Sequence, residues 1–549
     1  MSKYIITSAL PYAEGVPHLG NFVGSILPAD VFYKYLEMKG EDAIFICGSD
    51  QHGTPIEIQA IKKGVTPKEL AESVHEKIKE AMARFECTFT YYGKTDSEKN
   101  KETVYWLFDR LYKNGFVVEV KDIQPYCNTD KLFLADTFIE GTCPFCGYEK
   151  ARGDQCENCG HLLNPTDLIK PHCRICGGTD IVFKETKNLA IDLKKLQPEI
   201  KNFIEERTGN NWSITAVNKP ISYIEQGLKP RDITRDIAWG FDVPMEGFKD
   251  KKFYVWFDAV IGYIGITREW DEDRWEKYWK SKDTKLIQFM GKDNIEFHTM
   301  MWPGILIGSR EGLALPYTIK AYEYLTARGL KFSKSNGIGM NVENSLELME
   351  PDYLRFALIY RLPETSDADF SIDLLLEVVD KIMNDKIGNF VNRVLTIARS
   401  NSEYVGKIAM SSDYKDRIDS IITKYKSNFE SINLREALHN LIDLAEEGNS
   451  LISSSEPWKM RKNLSDADVR NKFSEVMGNL IYTVYAIGIL SYPFIPKASH
   501  DILDYFGISC NPKMDLFEKE INLNYSKEVI PIFKKATKEQ IEKLKTFSD

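Results

Sequence analysis

At 549 residues the chain is too long for one hydrophobic core, and three or four domains are expected. Hydrophobic content of 43% and charged content of 28% are ordinary for a globular protein, and no run of roughly 18 uninterrupted apolar residues suggests a membrane partner. A net charge of −10 argues against a chain that coats DNA, although local Lys/Arg patches can still serve one specific RNA. The N-terminal MSKYIITSAL lacks a long apolar core with a small-residue cleavage site, so a cytoplasmic location is expected.

Residues 1–115 read as the first half of a doubly wound parallel-sheet α/β domain. A strand-like run over 3–9 is followed by PYAEGVPHLGN at 11–21, which opens a helical pattern reaching Met38 before Gly40. A strand, a tight loop and a helix start make an anion cradle, because unpaired amides and the helix dipole face the loop. His18 and Asn21 stand where a phosphate would lie. Pro28 inside the helical pattern is expected to kink it or end it early. A buried strand over 42–47 runs into GSDQHGTP, which places Asp50, His52 and Gly53 at a strand's carboxyl end, where ligands gather in such sheets. Helices are expected over 67–84 and 98–114. No GxGxxG occurs, which disfavours dinucleotide binding.

Residues 116–225 read as an insertion. Seven of the ten cysteines lie between Cys127 and Cys176, a spacing that points to metal rather than disulfides. Cys143-x2-Cys146 and Cys156-x2-Cys159 are each followed by glycine (Gly147, Gly160), which lets the backbone curl so that amides face sulfur. Four such thiolates make a closed, structural zinc site. An outer set, Cys127-x2-Asp130 with Cys173-x2-Cys176, has a carboxylate where a fourth thiolate is usual. It holds a second zinc through Asp130, or through His172 instead, or is a knuckle without metal; spacing leaves these open.

Residues 226–325 return to α/β character. A strand is expected over 252–259, flowing into 260–263, and another over 286–290, ending in GKDNIEFH with Lys292, Asp293 and His298 beyond it. Residues 326–379 hold KFSKS at 331–335, with Lys331 and Lys334 between Gly329 and Gly337, followed by a helical linker. Such a loop suits cations carried to a polyphosphate. Alone, a histidine beside glycine is more often a turn residue, and a Lys-Ser run is more often solvated surface. Residues 380–549 are nearly all helical in pattern, for instance over 381–399, 435–450 and 472–490. This is an all-α bundle, expected to have its own core.

HLGN and KFSKS, in this order, resemble the signatures of class I aminoacyl-tRNA synthetases. ALPYAEGVPHLGN, FICGSDQHGTP, CPFCGYEKARGDQCENCG, KPRDITRDIAWG, FYVWFDAVIGYIG, QFMGKDNIEFH and GNFVNRV extend the resemblance to the methionyl-tRNA synthetases of archaeal and eukaryotic cytosolic type. It implies that L-methionine and ATP, brought with Mg2+, form methionyl-adenylate and pyrophosphate, and that tRNA(Met) then accepts the methionyl group. Catalytic roles would fall to His18, Asn21, Lys331 and Lys334, and ATP contacts to His18, Gly20, Asn21, Gly291, Lys292, Asp293 and Lys334. Ala9, Leu10, Tyr12, Asp50, Trp256, Ala259, Tyr263 and His298 would hold methionine, with Asp50 on its ammonium. Asn389, Arg393 and Trp458 would meet the anticodon, although a tryptophan near a helix start also serves as a core anchor. An apolar pocket separates substrates differing by a methylene by only about 1–3 kcal/mol, so rejecting homocysteine is expected to need editing. The resemblance also implies a monomer, or a chain that borrows a tRNA-binding module in trans. Val260 and Asn294 depart from the bacterial pattern, which has proline and isoleucine there. Two other readings compete. A non-catalytic zinc-ribbon nucleic-acid binder leaves HLGN, GKD and KFSKS without a role, and a small-acid adenylyltransferase has no use for the long helical tail.

Overall fold

A computed structural model of the chain describes residues 2–134, 138–153, 156, 158–159, 163–327, 330–331, 340–405, 408 and 410–546. Five parallel strands form the central sheet: β1 (Lys3–Ser8), β2 (Asp42–Ser49), β3 (Tyr91–Lys94), β4 (Thr284–Gly291) and β5 (Pro316–Tyr322), in the order β5-β4-β1-β2-β3. Ile5, Ile44, Ile46, Leu286 and Met290 join the core on one face, and Ile6, Phe45 and Ile287 the core on the other. Helices cover both faces, which is why these strands read as continuous apolar runs. From β1 the chain goes one way to β2, while β4 lies on its other side. Loops diverge at that switch point and leave a crevice.

The first helical segment begins at Leu19–Asn21, widens into a π turn at Phe22–Ile26, and continues as Leu27–Lys39 to a left-handed Gly40 at φ 73°. Pro28 therefore does not end the helix. It falls in the first turn after the π segment, where Leu27 N–H already donates to Phe22 O, so the missing N–H interrupts little of the ladder. The strand expected over 252–259 is another difference, for only Lys252–Phe253 is extended and Val255–Trp270 is a helix. Its aromatic and β-branched residues suggest a strand, but Phe257, Ile261 and Ile264 recur at helical spacing and are fully buried. This helix packs tightly on Glu98–Lys113, and a Cβ at Gly265 would lie 2.6 Å from Asn100 Cα.

The insertion is a long two-stranded ribbon, Val117–Cys127 antiparallel to Ile181–Ile191, capped by a small sheet of Ile139–Thr142, Ala151–Arg152 and Ile169–Cys173. The C-terminal bundle does not have its own core. Helices Leu27–Lys39 and Pro351–Tyr360 and the bundle helices Leu434–Ser455 and Ala467–Ser491 share one buried cluster. At the join Tyr35 stacks on Phe429 at 4.2 Å and 11°. Arg355, fully buried, lies 2.7 Å from Asp30 and donates to the carbonyls of Phe494 and Pro493. An amphipathic bundle needs an apolar partner for its inner face, and here a helix of the central sheet supplies it. Ala467–Ser491 is apolar enough by composition to cross a membrane, but 89% of its most apolar window is buried inside the protein.

Candidate active site

The loop leaving β1 is tied to its neighbours by backbone hydrogen bonds. Ala9 N–H donates to Phe289 O at 2.8 Å, Asp50 N–H to Pro11 O at 2.9 Å, and Ala13 N–H to Asp50 O at 2.8 Å. The last two place Tyr12 beside Asp50 at the end of β2. They open onto a cleft of about 810 Å3 lined by Ala9, Leu10, Tyr12, His18, Gly20, Asn21, Asp50, Trp256, Ala259, Tyr263, Gly291, Asp293 and His298. Motifs up to 289 positions apart (Ala9 to His298) are thus gathered at the switch point.

His18 caps the first helix, and its Nδ1 accepts the Asn21 N–H at 3.1 Å. In the neutral ring Nε2 then carries the proton and is a donor. Residues 340–342, where the described chain resumes after KFSKS, are bonded to this same loop. Leu19 N–H donates to Met340 O and Val342 N–H to Pro17 O, both at 3.0 Å, and Asn341 pairs with His18. On the other side of KFSKS, Leu330–Lys331 pairs with Leu325–Ala327, which pairs in turn with Ala368–Asp369. Lys334 lies outside the described residues. Lys292 does not line the cleft. Its ammonium sits 2.7 Å from Glu323 and 2.8 Å from Asp367, over the Tyr324 ring.

One end of the cleft is an aromatic slot. Trp256 stacks on Phe297 at 3.7 Å and Tyr12 meets Trp256 edge-on at 6.2 Å. Below them Tyr263 Oη lies 2.9 Å from His298 Nε2, and His298 Nδ1 lies 2.9 Å from Asn294 O. Burial holds His298 down to about 4, so the ring is neutral. A carbonyl only accepts, so Nδ1 bears the proton and Nε2 accepts from the tyrosine. Asp50 is buried, and burial together with the nearby Asp258 raises its carboxyl well above the usual range.

Several contacts behind and around the cleft could not be read from the sequence. Phe297 becomes visible only once Trp256 lies on it, and the contact between His52 and Asp258 spans 206 positions. Arg152 and Arg174, from the cysteine insertion, also line the cleft, so this module forms part of its wall.

The insertion gathers two metal-competent clusters. In one, the sulfurs of Cys143, Cys146, Cys156 and Cys159 lie within 4.8 Å of one another, with Cys143 to Cys159 at 3.8 Å and Cys146 to Cys156 at 3.7 Å. A tetrahedron with Zn–S arms of about 2.3 Å has edges of about 3.8 Å. The other brings together Cys127, Asp130, Cys173 and Cys176, with Asp130 Oδ2 3.0 Å from Cys173 Sγ. His172 is not the fourth member, since its ring faces Glu140 at 3.4 Å. Amides of Phe145, Asp130, Ile175 and Gly178 donate to cysteine sulfurs at 3.4 Å, and Gly147 and Gly177 take left-handed φ of 75° and 72° to make the knuckle turns. Both donor sets fit zinc.

On the bundle, Asn389 and Arg393 lie exposed on one helix, Asn389–Ser400, and the Arg393 guanidinium sits over the Trp458 ring at 5.3 Å. Trp458 is half-buried against the shared core.

Residues 4–395 match the family model of class I tRNA synthetases (M), and residues 406–546 match that of the anticodon binding domain of methionyl tRNA ligase. The chain is 40% identical to a methionine–tRNA ligase of Pyrobaculum islandicum, covering 98% of this chain and 95% of the relative. It is 38% identical to one of Aeropyrum pernix, covering 93% and 89%. Among solved structures, Mycobacterium tuberculosis methionyl-tRNA synthetase bound by methionyl-adenylate shares the fold at a TM-score of 0.80 and 20% identity, over 97% of this chain and 100% of that one.

Proposed function

Because this chain belongs to the methionine–tRNA ligases of the class I aminoacyl-tRNA synthetases, we propose that the switch-point cleft is where methionine and ATP meet and that its own residues divide the work as follows. The enzyme joins methionine to ATP as methionyl-adenylate, releasing pyrophosphate, and passes the methionyl group to tRNA(Met). Asp50 takes the substrate ammonium, and the slot of Trp256, Tyr12, Tyr263 and His298 takes the thioether, which gains from soft contacts with rings. Ala9, Leu10 and Ala259 complete its walls. Gly20, Gly291 and Asp293 lie toward ATP, while His18 and Asn21 meet the phosphates and Lys331 and Lys334 stabilise the departing pyrophosphate. Mg2+ arriving with ATP neutralises part of the phosphate charge. The observation that supports this reading is the pairing of residues 340–342, which follow KFSKS in the sequence, with the His18 loop. Methionine-dependent exchange of labelled pyrophosphate into ATP tests it; exchange without methionine would overturn it.

Burial and the field of Asp258 raise the Asp50 carboxyl well above the usual range, so pairing it with a substrate ammonium favours ionisation and should be linked to proton release. Methionine affinity should therefore rise as pH increases through the value of the empty Asp50. Titration calorimetry in two buffers of different ionisation heat should show this release, and buffer-independent heats would remove the role.

The two cysteine clusters hold zinc, which supplies structure rather than chemistry by cross-linking the knuckles that carry Arg152 and Arg174 to the cleft. Residues 1–115 and 226–325 form the two halves of the catalytic domain, 116–225 the insertion, 326–379 the KFSKS segment and linker, and 380–549 the anticodon-binding bundle. On the last, Asn389, Arg393 and Trp458 form the anticodon platform. Trp458→Ala should raise the KM for tRNA by about tenfold or more through loss of base stacking, with pyrophosphate exchange unchanged. Normal charging by a less stable protein would make Trp458 a core anchor instead.

A further inference from the structure

His52 lies just past β2, two residues after Asp50, and is 1% exposed. Its Nδ1 is 2.5 Å from Asp258 Oδ2 and its Nε2 is 3.6 Å from Asp96. Trp239 and Phe241 meet the ring edge-on at 5.3 and 4.6 Å. Burial alone would depress the imidazole, but the two carboxylates outweigh it and raise it to about 10. Asp258 is itself fully buried, and its other oxygen has no hydrogen-bond partner among the described residues. Lys68 stands 3.8 Å from Asp96 at the outer edge.

Asp258 occupies the helix Val255–Trp270 two residues after Trp256, one before Ala259 and five before Tyr263. The His52 ring therefore joins the segment that carries Asp50 to the helix that carries the aromatic slot. Asp258 adds to the cost of ionising Asp50, while burial raises the Asp258 carboxyl itself and His52 lowers it. A substrate bearing one positive charge is matched by one uncompensated carboxylate, and a second would favour a shared proton over the ammonium.

We propose that His52 is a fixed counter-charge of the amino-acid site: by neutralising Asp258 it leaves Asp50 as the single carboxylate facing the substrate ammonium, and it sets the slot helix at the right distance from it. His52 and Asp258 are thus positioning residues for methionine. The inference rests on the reading of Asp50 as the ammonium partner, and the experiment separates the two.

Pyrophosphate exchange is measured with Asp50→Asn, His52→Gln, Asp258→Asn and the His52→Gln/Asp258→Asn double variant, each full length. The single changes at 52 and 258 should raise the KM for methionine by about tenfold, with kcat and the KM for ATP moved less than about threefold. The double variant removes one charge of each sign, so it should bind methionine better than the weaker single variant. A double variant no better than that single, or one that fails to fold, overturns the proposal. So do single variants that move kcat and the KM for ATP as much as the KM for methionine. If the single variants fail to fold while the double folds and binds methionine, the charge balance is supported directly. Should Asp50→Asn leave the KM for methionine unchanged, the ammonium reading falls and this proposal with it. Loss in Asp50→Asn beside parental behaviour in His52→Gln overturns the counter-charge alone.

Discussion

His18→Ala should slow pyrophosphate exchange by about 10^2–10^3-fold while the KM for methionine changes little. The imidazole caps the first helix through Nδ1, which directs a protonated Nε2 away from the helix. That places a donor, the amides of the first turn and the positive end of the helix dipole together at the mouth of the cleft. In the proposed site methionine meets Asp50 and the aromatic slot while His18 meets the phosphates, so the loss should fall on the chemical step. His18→Gln restores a donor of similar reach and should recover part of the rate. Equal losses in kcat and methionine affinity, with a lowered unfolding midpoint, would mean that the histidine only shapes the loop. Lys334→Ala is expected to cost several powers of ten in the same assay if the lysine steadies the departing pyrophosphate.

Cys143→Ala should remove one zinc per chain, unfold the small sheet of the insertion and reduce aminoacylation by at least about tenfold. Binding of zinc to such a set supplies about 10–16 kcal/mol of local folding free energy. The insertion's buried cluster is small and is itself built around Cys127, Cys143, Cys156 and Cys173. Arg152 follows the first knuckle and Arg174 lies between the two outer cysteines, so loss of metal loosens a wall of the cleft. Metal analysis beside hydrogen exchange over 139–173 checks the expectation. Full zinc content and unchanged exchange in the variant would refute the inner set as a metal site. Cys173→Ala tests the outer set in the same way.

Much of the fold follows from short-range signals. The apolar runs of β1, β2 and β4 mark strands covered on both faces, and the helical pattern over 67–84 coincides with the helix Pro67–Arg84. The helix Val255–Trp270 was less legible, because aromatic and β-branched residues fit either a strand or a fully buried helix, and the close approach to Asn100 decides between them. The partners of Lys292 were not legible either, because the carboxylates of Glu323 and Asp367 that meet its ammonium come from distant segments.

Sequence alone determined what is encoded within a few residues: cysteine pairs spaced to share one ion, a histidine and asparagine at a helix start, and the order of catalytic and helical segments. Tertiary structure decided what depends on contacts between distant segments. It placed Asp258 against His52, Phe297 under Trp256 and two arginines of the insertion in the cleft, and it merged the bundle's core with one face of the sheet. The reason is physical: turn and ligand chemistry acts over a few bonds, whereas burial, charge balance and ring stacking depend on which surfaces the whole chain brings together.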